Sequence, residues 1–302
     1  MFSVIVPVHN KLPHLDRSIN SVLNQSFKDF ELIVIDDASS DGSEERIKEY
    51  TDPRIRTFKR DIPGPGGYAA RNLGIKKAKY EWIAFLDADD EWKTDHLEEK
   101  FTIIQKYSDV ELVSTNWVYS KEEKITPVSS LKKIKEKHRE FSLIDYLNYN
   151  LIVWTSAVSI KKQVLISVGS FPEEKCKRSG DMDTWIRCLY KSKRNLFINK
   201  VLAVYYVDTV NRVTDFDWNP SLDFCPLKTI RNMRKNVTDR MLLKAIDNYC
   251  AKHISFRMMK EMKMRKTINL KRLNDVHSWL LRLKIIIKLY LYKLILILRK
   301  KQ

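Results

Sequence analysis

F-E-L-I-V-I-D-D (Phe30 to Asp37) and W-I-A-F-L-D-A-D-D (Trp82 to Asp90) decide the fold of this chain. Each opens as an apolar run, broken in the first only by Glu31, the pattern of a strand buried on both faces of a parallel sheet, and each closes on aspartates. Those carboxylates therefore stand at the carboxyl ends of strands, the side on which open α/β sheets bind ligands. The step Asp87, Ala88, Asp89 suits a divalent cation carrying a diphosphate, which points to nucleotide chemistry.

Working outward, the first 116 residues predict alternating strands and helices: strand 2–8, helix 12–25, strand 30–36, helix 42–50, strand 54–59, helix 67–79, strand 82–87, helix 95–107 and strand 110–116. Leu12, Leu15, Ile19, Val22 and Leu23 form one helical stripe, and Leu97, Phe101 and Ile104 form another. Right-handed crossovers between such units give a mostly parallel, Rossmann-like α/β sheet flanked by helices. Beyond it, the lysine-rich stretch Ser120 to Arg139 reads as a surface excursion, Asn150 to Ile160 as a strand, and Met182, Trp185, Ile186 and Leu189 as a helix. Leu196 to Ile198 and Val201 to Val207 read as two further strands, and helices follow Pro226.

The chain holds 302 residues, 44% of them hydrophobic, enough for one large core or two small ones. Its net charge of +17 is confined to the end: residues 228–302 carry 21 Lys and Arg against 4 Asp and Glu, and the remainder is balanced. The basic tail, not the sheet region, is thus the part that would face a polyanion. Cys176, Cys188, Cys225 and Cys250 lack C-x-x-C spacing, and Met1 leads directly into the first strand without a charged leader. Reduced, buried thiols in cytosol are expected.

Five blocks in fixed order carry a resemblance. They are V-I-V-P-V-H-N (Val4 to Asn10), F-E-L-I-V-I-D-D-A-S-S-D (Phe30 to Asp41), A-R-N-L-G-I (Ala70 to Ile75), F-L-D-A-D-D (Phe85 to Asp90) and G-D-M-D-T-W-I-R (Gly180 to Arg187). The sequence resembles the inverting nucleotide-sugar glycosyltransferases of the GT-A fold, glycosyltransferase family 2, over residues 1–215. The resemblance implies a catalytic domain at 1–225, with a nucleotide-binding half at 1–116 and an acceptor half at 117–225, and a basic helical extension at 226–302.

It also implies residue roles. Pro7, Val8 and Asn10 border the nucleotide, Asp37 accepts a hydrogen bond from the base, usually uracil, and Asp87 lies near the ribose. Asp89 is the expected direct ligand of Mg or Mn, with Asp90 a second candidate. Asp181 matches the family's catalytic base, here preceded by Gly180 where many relatives carry glutamate. Where relatives often place a histidine after the last strand, this chain has Asp208 to Arg212, and Arg212 could grip the diphosphate instead.

Plainer readings stand beside these. Asp41 with Glu44 fits a capping box, Asp181 sits where an N-cap belongs, and Asp183 suits a helix first turn. Arg71, a nucleotide-sugar-binding candidate, follows G-P-G-G (Gly64 to Gly67), where flexible backbone approaches a diphosphate before a helix N-terminus; its plainer reading is pairing with a carboxylate, and Trp185 could be core or an acceptor platform. Gly64, Gly66 and Ala69 mimic a dinucleotide fingerprint but follow the third strand rather than the first, which disfavours a Rossmann dehydrogenase.

From Val276 to Leu298 the tail is apolar, yet Arg282, Lys284, Lys288 and Lys293 interrupt it, so a spanning helix is not expected. Trp279, Leu283, Ile286, Ile287, Tyr290, Leu291, Leu294, Ile297 and Leu298 share a cation-free arc, the pattern of an interfacial helix on an anionic membrane. Packing on the catalytic domain or in a dimer is the alternative; nucleic-acid binding is disfavoured because no stacking motif accompanies the charge. The expectation is a glycosyltransferase at the inner face of the cell membrane, taking a nucleotide-sugar donor to a glycan or lipid-linked acceptor in polysaccharide or lipopolysaccharide synthesis. A nucleotidyltransferase with a similar acidic site, or a non-catalytic nucleotide-sugar binder, is the alternative.

Overall fold

The computed structural model describes residues 1–149, 152–173, 176, 178–212, 225–264 and 268–298. The first half alternates as the apolar periodicity dictates: β1 (Phe2–Val8), α1 (Leu12–Leu23), β2 (Phe30–Asp37), α2 (Ser43–Lys48), β3 (Ile55–Arg60), α3 (Tyr68–Lys77) and β4 (Trp82–Phe85). Then come β5 (Glu91–Trp92), α4 (His96–Lys106), β6 (Leu112–Lys121), β7 (Lys124–Pro127), β8 (His138–Glu140), α5 (Leu143–Tyr149) and β9 (Val158–Lys161). The chain continues through α6 (Lys162–Ser167), α7 (Gly180–Lys191), β10 (Asn195–Tyr206), α8 (Cys225–Arg234), α9 (Arg240–Lys263) and α10 (Trp279–Leu298).

One sheet runs in the order β3-β2-β1-β4-β9-β6-β10-β5, with β7 on β6 and β8 on β10. Parallel pairing holds β3, β2, β1 and β4 together, and every residue of β2 is buried. Past β4 the register changes: β9 enters antiparallel between β4 and β6, so β6 is not the direct neighbour that the alternating pattern implies. The α/β class, helix-flanked sheet and C-terminal helical extension are as expected.

Several local expectations are corrected. Ser120 to Arg139 is not a free surface excursion, because β6 continues to Lys121 and returns as β7, while Val128, Leu131 and Ile134 are buried. Three apolar anchors among the lysines suffice to pin the segment. Of Asn150 to Ile160, only Val158 onward is strand; Thr155–Ala157 is a single 3-10 turn, and positions 150 and 151 lie outside the described residues. The two late strands are one, β10, with a register shift between Ile198 and Val201 that releases Lys200 to pair with Asp95 and Glu99.

No capping box forms at α2. Its N-cap is Gly42 in the left-handed region, and Asp41 instead accepts from the Ser43 N–H at 3.0 Å and from the Leu12 N–H at 3.0 Å, fastening α1 to the β2 loop. Cys176 and Cys225, expected to be reduced, form a disulfide, their Cα atoms 5.8 Å apart; Cys188 and Cys250 are free and buried. The fold brings the start of α8 beside the segment before α7, which a separation of 49 positions conceals. Trp185 is core, packed against Phe85 and Phe171.

Candidate active site

Parallel pairing places the ends of β1, β2 and β4 side by side, with Asp36 and Asp37 at the end of β2 and Asp87, Asp89 and Asp90 after β4. After β1, Asn10 adopts a positive φ of 52°, and its Oδ1 accepts from the Ser40 N–H at 2.8 Å, joining the first two strand loops. Val8 is buried in β1, and Pro7 faces Gly67, where a Cβ would stand 3.6 Å from the proline ring. Asp37 ends β2, almost wholly buried, and accepts from Arg60 and from the Gly64 N–H at 3.1 Å.

Asp87 pairs with Arg71 on α3, which also donates to the Gly66 carbonyl at 2.8 Å, so the carboxylate-pairing reading of Arg71 is realised. Asp89 accepts from Lys11 at 2.6 Å and from Thr209 Oγ1 at 2.9 Å. Lys11 Nζ reaches on to the Val210 carbonyl at 2.7 Å, tying the loop after β10 to the loop after β1. Arg212 on that loop donates to the Val207 carbonyl.

Asp90 differs from its neighbours. It is 0% exposed, one oxygen accepts from Ser156 Oγ at 2.6 Å, and the other has no partner. Burial raises its pKa well above the ordinary carboxylate value, and Asp89 and Asp87 push the same way.

Asp181 arrives from a distant segment. It is not the N-cap of α7, a position held by Ser179 in the left-handed region; it occupies the first turn. Burial pushes its carboxyl above the usual range, the Met182 N–H and Arg71 hold it back, and Asp87 adds to the rise. Arg71 and Asp87 both act on its charge, and the Gly180 N–H beside it donates to Tyr68 Oη at 2.9 Å, so α3 joins α7 to the strand ends. Asp183 is more than a dipole complement: it is buried, paired with Arg187 at 2.8 Å, and accepts from Thr229 on α8.

The fit of a divalent cation can be judged from these donors. Among the described residues no cluster of three His, Cys, Asp or Glu side chains is assembled to hold a metal. Asp87 and Asp89 are the carboxylates that remain partly open, and a protein cation already sits on each, Arg71 on Asp87 and Lys11 on Asp89. One or two carboxylates completed by substrate phosphates and water is the ordinary way Mg is held, so the residues fit a cation that arrives with its diphosphate.

Sequence reasoning missed Lys11, Arg17, Tyr68, Ser156 and Thr209. Arg17 donates to the Asp89 carbonyl at 2.6 Å and lies 3.5 Å from the Tyr206 ring centroid, and Ser156 Oγ accepts from the Asp87 N–H at 3.1 Å. Lys11 adjoins the V-I-V-P-V-H-N block and was within reach of the sequence. The others carry no local signal.

Acidic side chains gathered at the carboxyl ends of parallel strands, in a helix-flanked sheet followed by a C-terminal helical extension, give an α/β fold of GT-A type. Residues 3–168 match the glycosyl transferase family 2 model, and the chain belongs to that family: it is a glycosyltransferase of the inverting class. It is 32% identical over 215 residues to the GalNAc(5)-diNAcBac-PP-undecaprenol beta-1,3-glucosyltransferase of Campylobacter jejuni, covering 70% of this chain and 66% of that protein. Its fold is similar to S. aureus TarS 1-349 in complex with UDP-GlcNAc, with a TM-score of 0.75 at 18% identity over 91% of this chain and 80% of that one. It is also similar in fold to the mannosyltransferase PcManGT of Pyrobaculum calidifontis in complex with GDP-Man and Mn2+, with a TM-score of 0.59 at 16% identity over 96% and 79%.

Proposed function

We propose that this chain transfers a sugar from a UDP-linked donor to a hydroxyl of a glycan or lipid-linked acceptor in the synthesis of a surface polysaccharide, with residues 1–225 as the catalytic unit. The observation that carries the reading is that α3 joins α7 to the acidic strand ends: Arg71 pairs with Asp87, and Tyr68 Oη accepts from the Gly180 N–H at 2.9 Å, one residue before Asp181. Asp37, fixed by Arg60 and Gly64, keeps lone pairs for an N–H of the base, a charge-assisted contact that discriminates against a base lacking that donor. Pro7, Val8 and Asn10 border the nucleotide, and Asp87 takes the ribose. Asp181 removes the acceptor proton as that oxygen attacks the anomeric carbon from the face opposite the leaving nucleotide, which inverts the centre. Arg71, Lys11 and Arg212 supply positive charge beside the diphosphate. Asp89, with Asp90 as the second candidate, would hold Mn or Mg, which would supply positive charge to the leaving diphosphate.

The same reading places the enzyme peripherally on an anionic membrane, at its inner face. Ile285 and Leu289 of α10 are buried, whereas Trp279 is 69% and Tyr290 64% exposed, with Leu283, Ile286, Ile287 and Leu291 also open. Leu294, Ile297 and Leu298 of the expected arc have side chains outside the described residues. Among the described residues no helix is long and apolar enough to cross a membrane. Roughly 1 kcal/mol per Lys or Arg near an anionic surface would let the tail anchor reversibly.

Incubating the full chain with radiolabelled UDP-sugars, Mn and a lipid-linked acceptor tests the chemistry: transfer with UDP release and an inverted anomeric signal is expected. Release of inorganic pyrophosphate would favour a nucleotidyltransferase. Pelleting with anionic vesicles, with and without residues 279–302, tests the membrane reading; unchanged binding after truncation overturns it.

A further inference from the structure

Tyr68 opens α3 and is only 4% exposed. Its Oη accepts a hydrogen bond from the Gly180 N–H at 2.9 Å, reaching from the donor half to the first residue of the helix that carries Asp181. The first N–H groups of a helix have no intrahelical partner, and the N-cap Ser179 makes no side-chain cap here, so the phenol oxygen satisfies one of them.

The ring is boxed as closely as its oxygen. A Cβ on Gly180 would lie 2.8 Å from the Tyr68 ring, and one on Gly66, whose φ is +62°, would lie 2.6 Å from it. Glycine at 66 thus serves the ring's packing, and glycine at 180 leaves the space the phenol fills. Phe171 stacks on Tyr68 at 6.2 Å with planes 7° apart, and Asn72 holds the Phe171 backbone through an N–H accepted at 2.9 Å and an amide donated at 2.9 Å. Residues at i, i+3 and i+4 share a helix face, so one face of α3 presents Tyr68 to Gly180, Arg71 to Asp87 and Asn72 to Phe171.

We propose that Tyr68 is a positioning residue that fixes Asp181 in place and links it to the Gly64–Gly67 loop on the donor side. The proposal rests on Asp181 acting as the base. A phenol that merely fills space could lose its oxygen without kinetic effect, whereas a cap that aims the base could not.

The test is Tyr68→Phe in the full chain, assayed with radiolabelled UDP-sugar, beside UDP binding by calorimetry. Because small displacements of a reacting group are costly, kcat is expected to fall about tenfold while donor KM and UDP affinity stay within about twofold. Added to Asp181→Asn, the same substitution should cause no further loss of the residual rate. Gly180→Ala, which displaces the ring while leaving Tyr68 in the chain, should lower kcat similarly. Full kcat in Tyr68→Phe, or an undiminished loss on top of Asp181→Asn, overturns the proposal. An Asp181→Asn enzyme with wild-type turnover would instead remove the base assignment, a result distinguishable from the other two.

Discussion

The two walls of the crevice use the same residue in opposite settings. On the donor wall three aspartates meet a cation, Asp37 with Arg60, Asp87 with Arg71 and Asp89 with Lys11, while Asp90 beneath them is buried and bonded to Ser156. On the facing wall Asp181 is half-buried, and desolvation raises its pKa against the opposing pull of the Met182 N–H and Arg71. Ion-paired carboxylates suit recognition and charge neutralisation, and a desolvated one suits proton transfer. Burial and neighbours, not residue type, divide the labour.

The comparison breaks most visibly at Asp181. Replacing it by Asn should lower transfer by roughly 10²–10⁴-fold, the usual worth of a general base, while UDP binding survives. In the wild type, turnover should fall on acidification as the carboxyl takes up its proton, with a midpoint above the ordinary carboxylate value of about 4 because burial favours the neutral form. A profile flat down to that value would contradict the desolvated setting.

A smaller effect is expected on the donor wall. Asp89→Ala should weaken Mn-dependent UDP binding by about 10–100-fold, read by calorimetry with and without the metal. Equal affinities in both conditions would show that Lys11 and Arg71 carry the diphosphate unaided.

The smallest effect isolates dryness from catalysis. Lys100 on α4 is wholly buried behind the sheet, donates to Ser159 Oγ at 3.0 Å, and has its pKa driven well down by desolvation. The unfolded chain therefore binds a proton that the folded one resists, so stability should rise with pH toward the unfolded lysine value of about 10.4. Lys100→Met should remove that slope and raise Tm at neutral pH by about 2–4 °C, the shift given by ~1 kcal/mol in a chain of this size. A lower Tm would mean that the Ser159 contact outweighs the desolvation.

The alternating first half of the sheet and its acidic strand ends were legible from the chain alone, because a largely apolar run followed by carboxylates is a local pattern with one economical burial. The sequence also marked Asp37, Asp87, Asp89 and Asp181 as candidates, since each lies in a block that stands at a strand or helix end. Only tertiary structure decided the rest. The antiparallel entry of β9 between β4 and β6, Ser156 bonded to Asp90, Lys11 seated on Asp89 and Tyr68 capping α7 all join residues far apart in the chain. Such pairings depend on how the backbone closes in space, and neither periodicity nor composition records it.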